Sequence, residues 1–581
     1  MKIKEENKAK ILKIFTIVSY IVSILIYEIC ISNGNRILQL INGQELAYNF
    51  SLCRLVLYIA FMILLVKYID KFIDNALKTL KYKSKKIGIP IYIIVAILIF
   101  LYVAIKWGSI YKSATVVLFG ILGIIFLLYV SADYVKNMIV FCFTFGIVFT
   151  FSTEIHHSLD EKKHIMTALN MSQGNFDYEK NPLYDPAYQN IIFNCDINDF
   201  AKFYSEKYKP ELSDNWDKSE ENQIYYVCSK PAEYNFVLYI PSTIGILYAR
   251  LLGGSVADVY IMGRVFNLIA YMVMAVIALK LLPYKKKIFY IILTFPIMIV
   301  LAASYSIDGM CMGLITMFIA YCLKLENMDY KEIGIKNIVI LIMLLIGCLL
   351  AKNFAYIALG LLIFILPIVK ILKNNKKRLP IILSIIVISI VICSLLLLKF
   401  VGGTTVSDVG DPRGGDTSVP KQIEFLCSSP TNIIKVGFAH ITNSILNYNW
   451  YTYMNDSVFF GKYNSQIFFL QMIFILYVAF TDNSKKINKK TTIISVLSSL
   501  CVFAMTSLML YLTFTPVGQI NISGYQPRYV LPILPLLLML INSNRFIGKS
   551  NEIDEEKTDV FVSIISIVLI AIDFICLIYI V

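Results

Sequence analysis

The sequence predicts an all-α polytopic membrane protein of about 15 transmembrane helices, with large loops that carry interfacial helices. Three observations predict it. Of the 581 residues, 58% are hydrophobic and 16% charged, whereas soluble globular chains run near about 45–50% apolar and about 25% charged. Mean hydropathy is +0.69. Apolar runs of spanning length recur from end to end, separated by short lysine-rich segments. This composition excludes a soluble enzyme, a disordered tail and a nucleic-acid-binding domain. The net charge of +14 resides in lysines between apolar runs, where it sets topology.

A spanning helix needs about 20 mostly apolar residues. Such runs fall at 11–31, 53–69, 87–106, 113–131, 137–153, 257–281, 288–304, 309–325, 335–350, 354–371, 379–400, 465–481, 491–514, 529–543 and 559–580. Lysines 2, 4, 8, 10 and 13 precede the first run, which predicts a cytoplasmic N-terminus. The first run is long and lacks a small-residue cleavage site, so it is expected to anchor the chain, not to be removed. The later clusters, Lys71–Lys86, Lys285–Lys287, Lys370–Arg378 and Lys485–Lys490, then all fall on the cytoplasmic side. That parity requires stretch 236–252, which carries Pro241, Gly245 and Arg250, to lie at the membrane surface and not to cross it. The polar mass, 154–256 and 401–464, is then outside. The cytoplasmic loops are short and hold no glycine-rich phosphate loop, which excludes an ATP-driven transporter or a cytoplasmic nucleotide-sugar transferase on this chain.

Ionisable groups at a bilayer edge are functional candidates by default. Four places qualify. Asp160, Glu161 and His164 follow the fifth run, within Glu154-Ile-His-His-Ser-Leu-Asp-Glu-Lys-Lys-His164. A carboxylate there can serve as general base toward a hydroxyl, and a histidine one helical turn on can orient it. The plain alternative is a solvated charged helix. Asp308 lies in Ser304-Tyr-Ser-Ile-Asp-Gly309, a short connection, where it either caps the next helix or joins the first carboxylates. Arg528, in Gln526-Pro-Arg-Tyr529, suits a phosphate through its fork of donors or simply anchors at the interface. Lys352 is a lone charge between two apolar runs on the outer side, and Arg264 sits with Asn267 early in the sixth run. Arg264 can pair with an anionic ligand, with Asp258 or with a loop carboxylate.

Twelve cysteines occur without a CxxC pair, so no zinc or haem site is signalled. Cys195 and Cys228 share the first long loop, where oxidation is permitted; they form a disulfide or remain free thiols. The stretch Ser407-Asp-Val-Gly-Asp-Pro-Arg-Gly-Gly-Asp416 reads as a loop more readily than as a cation site.

Taken in order, these residues resemble a known family. DExxH (Asp160, Glu161, His164), Tyr239-Ile-Pro241, GRxxN (Gly263, Arg264, Asn267), SxD (Ser306, Asp308), Ala351-Lys352 and QxRY (Gln526, Arg528, Tyr529) follow one another across about 137–545. The set resembles the bacterial domain-of-unknown-function 2142 membrane proteins, which are similar in design to the GT-C superfamily of lipid-linked-sugar glycosyltransferases. Ser158-Leu159 and Ile307 stand where relatives often carry proline, and only Pro241 of a common proline pair is present. The resemblance implies three parts: an N-terminal extension of about four helices (1–136), a GT-C-like core (137–545), and a cytoplasmic loop with a last helix (546–581). It further implies a multi-pass protein of the bacterial plasma membrane with an extracytoplasmic active site.

On this resemblance the chain is expected to be an inverting glycosyltransferase. It would move a sugar from a polyprenyl-phosphate donor to a cell-surface glycan or glycolipid. Asp160 is the expected base and Glu161 the close second, with His164 and Asp308 supporting. Arg528, Lys352 and Arg264 are the expected phosphate contacts, and Gln526, Tyr529, Asn267 and Tyr239 line the groove. No protein nucleophile is required; no cofactor is assigned, and a divalent cation is left open. Two rival readings stand beside it. One is a lipid-linked glycan transporter or flippase, which would place charges nearer mid-membrane and show repeats. The other is a polymerase or ligase acting on pyrophosphate-linked oligosaccharides.

Overall fold

The structure, a computed structural model, describes residues 2–32, 51–107, 109–153, 158, 160–178, 183, 234–352, 355–374, 416–446, 465–482, 484–541 and 555–580. Among them every regular element is helical. Cys195 and Cys228, the whole of the 379–400 run and residues 407–415 lie outside the described residues.

Seven helices are long and apolar enough to span a membrane: Glu6–Ile31, Lys83–Lys106, Ile110–Tyr129, Tyr134–Phe151, Val256–Leu281, Asp308–Asn327 and Lys489–Thr513. An eighth is added if Leu52–Tyr68 and Asp70–Thr79, bent by 60°, form one span. The described residues do not reach the expected count near fifteen. Run 379–400 lies outside them, runs 335–350, 465–481 and 559–580 are helical at Ile335–Leu350, Ser465–Thr481 and Glu555–Ile580, and prolines divide three further runs. The 288–304 run divides into Lys286–Leu293 and Pro296–Ala302, with Phe295 extended at ψ 134. Proline lacks an amide N–H and pushes its predecessor out of the helical region. The 354–371 run becomes a 3-10 stretch Ile357–Ile365 and a short helix Ile368–Asn374 on either side of Pro367. With Pro532 and Pro535 present, the 529–543 run retains only the five-residue helix Leu534–Leu538. Stretch 236–251 is an apolar helix shorter than a span.

We label the elements that position the site α1 (Lys2–Ile26), α2 (Leu52–Tyr68), α3 (Tyr134–Phe151), α4 (Glu161–Ser172), α5 (Ile240–Leu251), α6 (Val256–Leu281), α7 (Asp308–Asn327), α8 (Ile335–Leu350) and α9 (Lys489–Thr513). Helix α6 is the hub, packing on α3, α5 and α7. It opens with a capping box in which Ser255 and Asp258 each satisfy the other's backbone amide. Helix α5 approaches it at Gly245, where a Cβ would meet the Met262 carbonyl oxygen at 2.2 Å. Only a glycine permits that backbone contact.

Charge, too, holds the N-terminal helices to this hub. Arg54 of α2, 2% exposed, donates to Glu28 through Nε at 2.7 Å and Nη2 at 3.1 Å, and to Asp258 of α6 through Nη1 at 2.5 Å. Tyr58 donates to Glu28, and Ser51 to Asp258. A buried guanidinium with two carboxylates joins the ends of α1, α2 and α6. Removing one partner from such a cluster strands a buried charge, at a cost of about 3–5 kcal/mol. At the far end of the chain, Asp559 receives Lys287 at 2.9 Å and the Tyr134 hydroxyl at 2.8 Å, while Phe574 stacks on Phe119 with centroids 3.9 Å apart.

Candidate active site

Four chain segments converge where α3 ends, α7 begins and α8 ends. The first carries Asp160, Glu161 and His164. Asp160 precedes α4 with φ 55, and Lys352, just past α8, has φ 44. Among the described residues only three non-glycine residues have positive φ, and two of them are here. Side chains rarely tolerate that region without a compensating constraint, and such residues cluster at functional sites.

Two ion clusters share this end of the bundle and differ in kind. In the first, Arg264 grips Glu161 bidentately, Nε to Oε1 at 2.8 Å and Nη2 to Oε2 at 2.9 Å. Its Nη1 donates to the Thr153 carbonyl at 2.8 Å, and the Tyr305 amide donates to Glu161 at 3.1 Å. Both side chains are sealed, 2% and 0% exposed. This is a closed pair that fastens α4 to α6 and to the turn before α7. It changes two of the expected assignments: Glu161 is occupied as a structural anion, and Arg264 is neutralised by it and is not offered to a phosphate.

In the second cluster Asp308 stands between two cations. Lys352 Nζ lies 2.5 Å from its Oδ1 and Arg528 Nε 3.1 Å from its Oδ2. Asp308 does not cap α7 as one sequence reading held; the Ser306 hydroxyl accepts from the Asp308 amide at 3.2 Å, leaving the carboxylate for the cations. The Tyr529 ring lies under Lys352, whose Nζ is 4.1 Å from its centroid, a cation–π contact. The approach of Arg528 to Asp308 is an ion pair whose angle falls short of a hydrogen bond. Its Nε and Nη1 are thus buried without hydrogen-bond partners among the described residues. Burial of a cation with unused donors is costly, because water's hydrogen bonds have been lost and not replaced.

His164 lies among these groups. Its Nδ1 is 2.9 Å from the Tyr239 hydroxyl, and its ring packs near Tyr234. It does not orient a carboxylate, as the i+3 or i+4 spacing predicted. Burial pushes it down to about 4, against the opposing pull of Asp160 and Asp308. Burial likewise pushes the Tyr234 phenol up, with Tyr529 and Asp160 adding to it. Burial works against the Arg528 charge, but Asp308, Tyr529 and Asp160 together outweigh it and keep its pKa above the ordinary value. Asp160 itself is exposed.

The predicted groove residues divide. Tyr529 and Tyr239 touch the cluster as described. Asn267 does not line a groove: it is buried and donates to the carbonyls of Ser304 at 2.8 Å and Ser306 at 3.3 Å, so it shapes the turn that carries Asp308. Gln526 is half-buried and accepts from the Tyr529 amide through its own carbonyl. Tyr234 was missed by sequence reading, since a lone tyrosine near a loop end carries no motif. Among the described residues no three His, Cys, Asp or Glu side chains gather to hold a metal.

Fold and site together define a polytopic helical membrane protein with a largely buried cluster of charged side chains at the ends of its helices. The chain belongs to the family described as predicted membrane protein (DUF2142), whose model matches residues 143–537. The match covers all the charged residues of both clusters at this site. No curated protein and no solved structure matches the chain.

Proposed function

We propose that the protein is a membrane glycosyltransferase that takes a sugar from a polyprenyl-phosphate donor and passes it to an extracytoplasmic glycan or glycolipid hydroxyl. The observation that carries the reading is Arg528: a guanidinium nine-tenths buried, with two hydrogen-bonding positions unused, sharing one carboxylate with Lys352. Asp308, Lys352 and Arg528 sum to one positive charge. A sugar phosphodiester carries one negative charge and fits that balance; a pyrophosphate would bring more than the cluster neutralises. Charged donors in a water-poor cleft also favour a leaving phosphate as its charge grows.

Asp160 is the base in this reading. Its exposed carboxylate stands one residue before the sealed Glu161 and acts on Arg528 electrostatically. It takes the proton of the acceptor hydroxyl as that oxygen bonds to the anomeric carbon. The bond from that carbon to the phosphate oxygen breaks, the phosphate keeps the electron pair, and configuration inverts. General-base assistance of this kind contributes about 10²–10⁴-fold.

The test is a pair of variants assayed with polyprenyl-phosphate hexoses. Asp160→Asn keeps a residue that tolerates positive φ; transfer is expected to drop by about 10²–10⁴-fold while lipid-phosphate binding is unchanged. Arg528→Ala is expected to lose binding. If neither variant alters transfer or binding, the reading is wrong. Binding without transfer in the unmodified protein would favour a lipid-glycan transporter.

A further inference from the structure

We propose that Tyr525 is a positioning residue of the site: its ring holds Tyr529 at the angle that keeps Lys352 and Arg528 beside the Asp308 carboxylate. Tyr525 belongs to none of the sequence motifs. The assignment rests on the phosphate reading of the two cations for its consequence in binding, and not for its geometry.

The chain reaches this ring through a turn that glycine takes most easily. Gly524 has φ 73, and a Cβ there would meet the Phe514 ring at 2.6 Å. Tyr525 follows at once and is 8% exposed. Its ring stands steeply inclined to three others, with centroids 4.7 Å from His440 at 84°, 5.6 Å from Phe503 at 73° and 5.8 Å from Tyr529 at 86°. Edge-to-face pairs are favoured because an aromatic edge is positive and its face negative. His440 and Phe503 stack on each other at 5.2 Å, and the Tyr525 hydroxyl lies 3.2 Å from Thr506 Oγ1. Helix Pro430–His440 and α9 therefore wall Tyr525 in. It is fixed before it touches the site.

Tyr529 is held less completely. Its backbone carbonyl accepts from the Tyr356 hydroxyl at 3.0 Å, which pins the main chain and leaves the ring to turn. Among the described residues, Tyr525 is the one aromatic ring against it. Lys352 Nζ lies 4.1 Å from the Tyr529 centroid and Arg528 Cζ 5.5 Å from it. The same two cations meet Asp308. Asp308 is one anchor for two long side chains, and the ring is the second. A ring that turned away from Lys352 would give up the attraction of its face for that charge.

Two measurements test this. Lysine labelled with ¹³C at Cε in the full protein gives a readout that needs no ligand, with the Lys352 signal assigned by its loss in Lys352→Arg. Protons above an aromatic face resonate upfield, so Lys352 is expected upfield of ordinary lysines. Tyr529→Leu should abolish that shift and Tyr525→Leu should remove most of it, whereas Tyr525→Phe keeps the ring and should leave it. A Lys352 signal at the ordinary position in the unmodified protein, or one unmoved in Tyr525→Leu, overturns the assignment. Tyr525→Met takes the place of Tyr525→Leu should that variant not fold. Failure of both to fold would make Tyr525 a core residue only and overturn the assignment as well.

The second measurement is farnesyl phosphate binding to the full protein in detergent. Tyr525→Leu is expected to weaken it by about threefold to thirtyfold, the range a cation–π contact covers, and Tyr525→Phe by less than about twofold. On a Tyr529→Leu background the Tyr525→Leu change should add almost nothing, because the ring it positions is already gone. Equal losses in both backgrounds, or a fall in thermal midpoint with binding intact, would mean that Tyr525 only stabilises the fold. Absence of farnesyl phosphate binding in the unmodified protein would count against the phosphate reading instead, and the Lys352 signal would still decide Tyr525.

Discussion

Arg264 and Arg528 are both buried at the same end of the bundle, and they have opposite hydrogen-bond accounts. Arg264 uses its donors on Glu161, the Thr153 carbonyl and Tyr260. Arg528 shares one carboxylate with Lys352 and, among the described residues, leaves Nε and Nη1 without hydrogen bonds. Burial and charge are the same in the two cases, so neither distinguishes structure from function. Saturation does. A closed ion pair holds elements together; an unsaturated cation held in place by its neighbours is ready for an anion that is not part of the chain. Arg54, with Glu28 and Asp258 around it, belongs with Arg264.

The comparison can be broken most directly at the closed pair. Arg264→Met should leave Glu161 buried and unpaired and destabilise the protein by about 3–5 kcal/mol. In detergent this reads as a large fall in thermal midpoint or as loss of folded protein. The double change Arg264→Met with Glu161→Leu should recover much of that loss, since an apolar pair avoids the desolvation of both charges. If the single variant is stable, the pair is not structural and the contrast fails.

Arg54→Met should produce a loss of similar mechanism but felt differently. It frees two carboxylates, and the expected outcome is loosening of α1 and α2, seen as faster amide hydrogen exchange in those two helices before global unfolding. The open cluster should respond in the opposite sense. Arg528→Lys keeps the charge but loses the fork, and is expected to weaken lipid-phosphate binding by about tenfold with the thermal midpoint nearly unchanged. A large stability loss there, with binding intact, would put Arg528 in the same class as Arg264.

A further difference is in pH dependence. Burial holds both His164 and His440 down to about 4, below the usual value near about 6.5. The unfolded chain therefore binds protons that the folded chain does not between those two values. Stability is full above about pH 6.5, falls as pH drops from about 6.5 toward 4, and levels off below. His440→Gln should flatten part of that slope in a thermal-shift titration. Its imidazole sits between the hydroxyls of Ser444 at 3.2 Å and Ser507 at 2.8 Å and packs against Phe503 and Tyr525.

Much of the site was legible because the chemistry is expensive. Charges in an apolar chain stand out, and Asp160, Asp308, Lys352 and Arg528 were found on that ground alone. The same rule, applied to the first two runs, flags Glu28 and Arg54, which are single charges inside apolar stretches. What could not be read was partnership. Glu161 and Asp160 are adjacent, yet helix geometry turns one into the packed interior and leaves the other exposed at a left-handed residue. Spacing suggested that His164 serves a carboxylate; the ring instead meets Tyr239, 75 positions away. Three expected spans are divided for a local reason, since hydropathy does not register the prolines within runs 288–304, 354–371 and 529–543.

Composition by itself determined that this chain lives in a membrane as a set of helices, because lipid offers backbone groups no other partner than the chain itself. The order of its charged motifs determined the family. Only the tertiary structure decided which anion each buried cation meets, since ion pairing depends on atoms brought within a few ångströms from positions well separated along the chain. That choice separates the arginine that holds the fold from the one that leaves donors for a ligand.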